Sequence, residues 1–187
     1  MNRYIVCILI SILLSISSCS NVNNNEDMIR FMKSKVYIPT EYLDVRSCSS
    51  FSDSITSNDE MRIVVLFSES ECTKCKMKEL SLIVQKTIEN YNQITIIYIV
   101  PCEKNIMDNV YALFGDFKIK GTIYLDTCNA FLSANPQIPD NELFHTFVIN
   151  KEGKVLMVGN PFQNEKMEAL FKKVIVNEQK KHKTKKV

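Results

Sequence analysis

Arg62-Ile63-Val64-Val65-Leu66-Phe67-Ser68-Glu69-Ser70-Glu71-Cys72-Thr73-Lys74-Cys75 is the stretch on which the fold turns. Arg62 to Phe67 is a near-continuous apolar run rich in β-branched residues, the pattern of a strand covered on both faces. A polar loop follows, then two cysteines separated by two residues. Apolar residues next recur at Met77, Leu80, Val84, Thr87, Ile88 and Tyr91, at spacings of three and four that mark one face of a helix. Cys72 is therefore predicted at a helix N-terminus. Free N–H groups and the positive dipole end favour thiolate over thiol there. A thiolate is the species that attacks disulfides. Cys75 falls one turn further on, placed to close a disulfide behind that attack.

Working outward, Lys35–Pro39 and Tyr42–Val45 alternate as strands do, with Pro39 confined to an edge or a strand end. Met28 to Ser34 reads as a short helix, and Ser47 to Asn58 as a serine-rich loop. Ile94 to Val100 is a second apolar strand. A helix is expected through Ile106, Val110, Leu113, Phe114 and Phe117, and a third strand at Thr122–Leu125. Phe144–Asn150 and Lys154–Val158 form a hairpin around Gly153, and Met167, Leu170, Phe171 and Val174 line a last helix. Strands alternating with helices, then a hairpin and a helix, predict an α/β domain: a central mixed sheet with flanking helices.

Two anchors in this order resemble the thioredoxin-like proteins, and most closely the membrane-attached thiol–disulfide oxidoreductases and peroxidase-type redoxins. The first anchor is Phe67-Ser-Glu-Ser-Glu-Cys72-Thr-Lys-Cys75-Lys. The second is His145-Thr-Phe-Val-Ile-Asn150-Lys-Glu-Gly153-Lys-Val-Leu, similar to the family's later hairpin. The resemblance spans roughly residues 61–173. It implies a thioredoxin-like fold with Cys72 as nucleophile, Cys75 as resolving thiol and no cofactor. The chain departs from the family at Ser68 and Glu71, where tryptophans usually stand, and at Phe144-His145, where a cis-proline usually precedes the strand. A trans peptide is expected at that position, because a cis bond before a non-proline residue is costly.

The N-terminus reads as a targeting segment. Asn2-Arg3 is followed by an apolar run from Tyr4 to Ile16, too short for a comfortable membrane span. Ile16-Ser17-Ser18-Cys19 resembles the bacterial lipoprotein cleavage box. This implies a signal peptide over 1–18, acyl chains on Cys19 and a polar tether to residue 34. The domain follows over 35–176, with a basic tail over 177–187. Ser20 after that cysteine resembles the signal for outer-membrane delivery in Gram-negative bacteria. The implied place is the cell envelope, lipid-anchored and facing the periplasm. Partners would be exported proteins bearing disulfides, or a membrane electron donor.

Export places the chain where disulfides form and persist. Removing Cys7 and Cys19 from seven cysteines leaves Cys48, Cys72, Cys75, Cys102 and Cys128. Five is odd, unlike a purely structural framework. Cys102 and Cys128 each follow a predicted parallel strand. Each is read either as an accessory thiol near Cys72 or as a small buried apolar residue. Zinc is disfavoured, because no second Cys-x-x-Cys or His pair supplies four ligands. His145 is either a strand-end cap or, with the two cysteines, a copper ligand. From Cys19 to Glu165 there are 14 Lys/Arg against 19 Asp/Glu, whereas Lys166 to Val187 holds 8 Lys against 2 Glu. No aromatic residues interleave the terminal lysines, so nucleic acid is not an expected partner. The basic end reads as a solvated helix terminus or as a contact with anionic lipid. A non-catalytic binding module, a copper chaperone and a peroxidase are the competing functions.

Overall fold

The computed structural model describes residues 20–48, 61–68, 73–91, 94–117 and 119–184. Its strands are β1 (Asp44–Cys48), β2 (Met61–Leu66), β3 (Ile94–Pro101), β4 (Gly121–Asp126), β5 (Thr146–Asn150) and β6 (Val155–Val158). Its helices are α1 (Ser20–Met32), α2 (Thr73–Asn90), α3 (Met107–Asp116), α4 (Ala130–Ala134) and α5 (Glu165–Thr184). The strands form one six-stranded sheet in the order β1-β4-β3-β2-β5-β6. β2, β3 and β4 run parallel, while β1 is antiparallel to β4, β5 to β2, and β6 to β5.

Alternation along the strands sorts the core into two layers. Ile63 and Val65 of β2, Tyr98 and Val100 of β3, and Ile123 and Leu125 of β4 pack on one face. Met77, Leu80 and Ile83 of α2, Phe114 of α3 and Phe171 of α5 cover them. Val64, Leu66, Ile97, Ile99, Tyr124 and Phe147 face the other way, beneath Phe31 of α1 and Phe131 of α4. The connections β2-α2-β3 and β3-α3-β4 step across the sheet in the same direction. Right-handed crossovers must then lie on the same face, as α2 and α3 do. The chain returns from β4 over the opposite face, through α4, to place β5 on the far side of β2. The order β2, α2, β3, α3, then β5, β6 and α5 is the thioredoxin-like order expected from the sequence, with β4 and α4 inserted ahead of the hairpin.

Several local expectations are corrected. Residues 20–27, read as a polar tether, belong to α1, whose last turn inserts Phe31 fully into the core against Phe147 at 5.1 Å between ring centroids. Lys35–Pro39 contributes one isolated bridge, Lys35 to Lys154, and Thr40–Tyr42 is a 3₁₀ turn after Pro39. The first strand therefore starts later, at Asp44, and extends through Ser47. Arg46 fastens it to α3 through Asp108 at 2.9 Å and by stacking on Tyr111 at 5.6 Å. The last helix runs through the expected boundary at residue 177 as far as Thr184. α4 was not anticipated, since five residues are too few to show a periodicity.

Gly153 closes the β5–β6 hairpin with φ of 78° and supports the bridge to the N-terminal segment, its carbonyl accepting from the Val36 N–H at 2.8 Å. A Cβ there would lie 2.2 Å from the Val36 carbonyl oxygen. Gly153→Ala should destabilise the fold by about 2–3 kcal/mol, combining left-handed strain with a backbone clash. The check is a lower denaturation midpoint at unchanged m; a loss below about 0.5 kcal/mol would contradict the close approach.

Candidate functional site

Parallel strands deliver their carboxyl ends to one rim of the sheet. Ser68 lies there after β2, Cys102 after β3 and Cys128 after β4, and β5 begins beside them at Thr146. The chain leaves β2 toward β3 on one side, whereas β5 is reached from β4 on the other. The rim between β2 and β5 is thus a switch point of the topology, where open α/β sheets carry their sites. Phe67 and Ser68, which lead in the sequence to the Cys-x-x-Cys pair, lie at this point. Phe67, the residue after β2, is buried against Phe114 with centroids 5.8 Å apart, and its N–H donates to the Ile99 carbonyl at 2.9 Å. The start of the loop is thereby fixed to the core.

Helix α2 begins at Thr73, so Cys75 falls in its first turn. Lys76 is buried in the same turn. Cys19, Cys72, Glu69 and Glu71 lie outside the described residues, as do the side chains of Cys75 and Lys74.

The segment before β5 is built from a 3₁₀ turn, Glu142–Phe144, capped by Asn141, whose side chain accepts from the Leu143 N–H at 3.0 Å. Ser68 Oγ donates to Glu142 Oε1 at 2.5 Å, joining this turn to the end of β2. The His145 N–H donates to the Glu142 carbonyl at 3.0 Å, and its carbonyl accepts from the Leu66 N–H at 2.8 Å. No cis peptide occurs among the described residues, so Phe144-His145 is trans, as the sequence suggested. Both backbone groups of His145 are engaged within the fold and do not present a ladder to an incoming peptide strand. The imidazole is buried, with Nε2 3.3 Å from the Pro139 carbonyl oxygen. That contact fits a side chain tying the loop together. Among the described residues no group of three or more His, Cys, Asp or Glu is arranged to hold a metal.

Cys102 and Cys128 both reach the rim as free thiols. Cys128 is exposed, so the alternative of a buried apolar residue does not hold for it. Cys102 is partly buried against the layer that contains α2 and α3. Burial, and then the carboxylates of Asp126 and Asp44, push its thiol above the ordinary value. Cys48 lies at the opposite end of the sheet, paired with Gly121 at the start of β4.

Sequence reasoning missed Asp126. It is 3 % exposed at the end of β4. Oδ1 accepts from the Ala130 and Cys128 N–H groups at 2.9 and 3.3 Å, and Oδ2 from the Phe131 N–H at 2.9 Å. An aspartate a few residues ahead of Ala130-Phe131-Leu132 carries a capping signal, but α4 is too short to draw attention to it.

No protein-family model and no curated protein matches the chain. Solved structures do resemble it. A putative thioredoxin from Neisseria meningitidis shares 15% identity at a TM-score of 0.47, over 64% of this chain and 77% of that one. An uncharacterized thioredoxin-like protein from Porphyromonas gingivalis shares 19% at 0.45, over 62% and 74%. Peroxiredoxin Q from Xanthomonas campestris shares 12% at 0.49, over 76% and 99%. At these identities and scores the likeness carries no argument about this chain. The strand order and the placement of the helices carry the assignment by themselves: the chain has a thioredoxin-like fold, a mixed six-stranded sheet flanked by helices.

Proposed function

We propose that this chain is a lipid-anchored, extracytoplasmic thiol–disulfide oxidoreductase that works through Cys72 and Cys75. The observation that carries the reading is where α2 starts: at Thr73, one residue after Cys72, past the carboxyl end of a central strand. The pair then straddles the boundary where unpaired N–H groups and the helix dipole stabilise a thiolate. In the proposed exchange, Cys72 Sγ attacks one sulfur of a partner disulfide. A mixed disulfide forms and the other partner sulfur leaves as thiolate. Cys75 then loses its proton and attacks Cys72 Sγ, releasing the second partner thiol. The partner gains two electrons and the chain is left with a Cys72–Cys75 disulfide, which a membrane electron donor must reduce again. No cofactor takes part in these steps.

Anchoring rests on Ile16-Ser17-Ser18-Cys19, and delivery to the periplasmic face of the outer membrane on Ser20. Among the described residues no helix is long and apolar enough to cross a membrane. Acyl chains on Cys19 would supply the attachment.

The test is covalent capture. Full-length Cys75→Ser, exported in a bacterial host, should accumulate partners joined through Cys72 that reductant releases. An absence of adducts, combined with no insulin disulfide reduction by wild type, would refute the oxidoreductase reading. The engaged backbone of His145 favours a second reading, a binding module that retains the fold without turnover. That reading predicts the negative outcome in both assays.

A further inference from the structure

Cys102 and Cys128 have no part in the exchange assigned to Cys72 and Cys75, yet a single residue holds both. The Asp126 carbonyl accepts from the Cys102 N–H at 3.1 Å, and Asp126 Oδ1 accepts from the Cys128 N–H at 3.3 Å. β3 and β4 are paired up to Pro101↔Asp126, so Cys102 continues one strand just as the other turns toward Cys128. Neighbouring strands stand about 4.8 Å apart, and a disulfide spans ~4.4–6.8 Å between Cα atoms. The two thiols also differ in a useful way. Cys128 is exposed, and Cys102 is partly buried against the core. Cys48 is not a competing partner, because five residue steps along β4, about 17 Å of strand, separate its neighbour Gly121 from Asp126.

We propose that Cys102 and Cys128 form a second reversible dithiol–disulfide couple on this rim, oxidised by small disulfides of the glutathione class. The exposed Cys128 thiolate attacks one sulfur of the small disulfide. It forms a mixed disulfide and expels one small thiolate. Cys102 then gives up its proton and attacks Cys128 Sγ, expelling the second. Two protein thiols become one disulfide, and one small disulfide becomes two thiols. A Cys102 thiol held protonated by burial and by two nearby carboxylates suits the second, resolving attack, in which the mixed disulfide is already beside it. The couple goes beyond the Cys72–Cys75 reading and does not depend on it.

The test uses the full chain carrying Cys72→Ser and Cys75→Ser, with wild type in parallel. Each is equilibrated with mixtures of reduced and oxidised glutathione, quenched in acid, alkylated and mapped by peptide mass spectrometry. Both should yield a peptide joining Cys102 to Cys128, lighter by two hydrogens than its separate parts. Its fraction should rise with oxidised glutathione and fall when reduced glutathione is restored. Cys128→Ala should leave Cys102 fully alkylated in the same mixtures. The couple is refuted if Cys128 is recovered only as a glutathione adduct while Cys102 remains a thiol, or if Cys128 is joined to another cysteine. Loss of insulin reduction would count against the first pair and leave this readout unmoved.

Discussion

Replacement of Cys72 by serine should lower insulin disulfide reduction by about 10³-fold or more, because a serine hydroxyl cannot stand in for a thiolate on sulfur. Cys75→Ser should behave differently. It retains the first attack, so a single-turnover experiment should still show release of one partner thiolate per chain. Steady-state turnover should stop there, with the mixed disulfide intact. The two variants therefore separate attack from resolution. The proposed division rests on sequence position: Cys72 precedes and Cys75 follows Thr73, the first residue of α2. Glu69 and Glu71 bring opposing charge in the sequence, which tempers the thiolate without removing the nucleophile. Cys72→Ser retaining more than about a tenth of wild-type activity would show that attack comes from another thiol.

Asp126→Ala should cost about 4 kcal/mol of stability, the largest effect expected from a polar substitution at the rim. Three N–H groups end on its carboxylate, from Cys128, Ala130 and Phe131, and the side chain is shielded from water. Removal strands these donors where β4 turns into α4, the Phe131 N–H buried and the other two part-buried, and a buried donor left unpaired costs roughly 1–3 kcal/mol before relaxation. Asp126→Asn should lose about half as much. Its remaining oxygen can serve Cys128 and Ala130, while the new amide opposes the Phe131 N–H. Denaturant midpoints at constant m give the comparison. Equal losses for the two variants would show that charge, and not the number of acceptors, governs the site.

The parts of this fold legible in sequence are those where burial repeats. Arg62–Leu66 and Ile94–Val100 announce themselves because both faces of those strands are covered. α2 does so because one face alternates Met77, Leu80 and Val84 with solvent. Residues 20–27 read as tether because Asn-rich polar sequence has little intrinsic helicity. What fixes α1 is tertiary, Phe31 locked against Phe147 at its far end. The strand before Pro39 failed for a related reason: Lys35 forms one isolated bridge, to Lys154, and no other described residue extends that ladder. At the site, the Cys-x-x-Cys spacing and the trans Phe144-His145 peptide could be read from residue types. The hold of Asp126 on two cysteines could not, because it depends on β3 and β4 being neighbours, which local sequence does not encode.

The start of α1 at Ser20 also sets how far the protein can reach. Under the proposed anchoring, acyl chains on Cys19 would sit one residue before the described helix, leaving little chain between the bilayer and the domain. Among the described residues the first one fully buried, Phe31, comes only about 18 Å along a helix rising ~1.5 Å per residue. A protein so anchored would not sweep the periplasmic volume for clients. It would meet them by diffusing in the plane of the membrane, so its working concentration becomes a surface density. Clients that are themselves attached to that leaflet, or delivered to it, would be served ahead of equally reducible proteins free in solution.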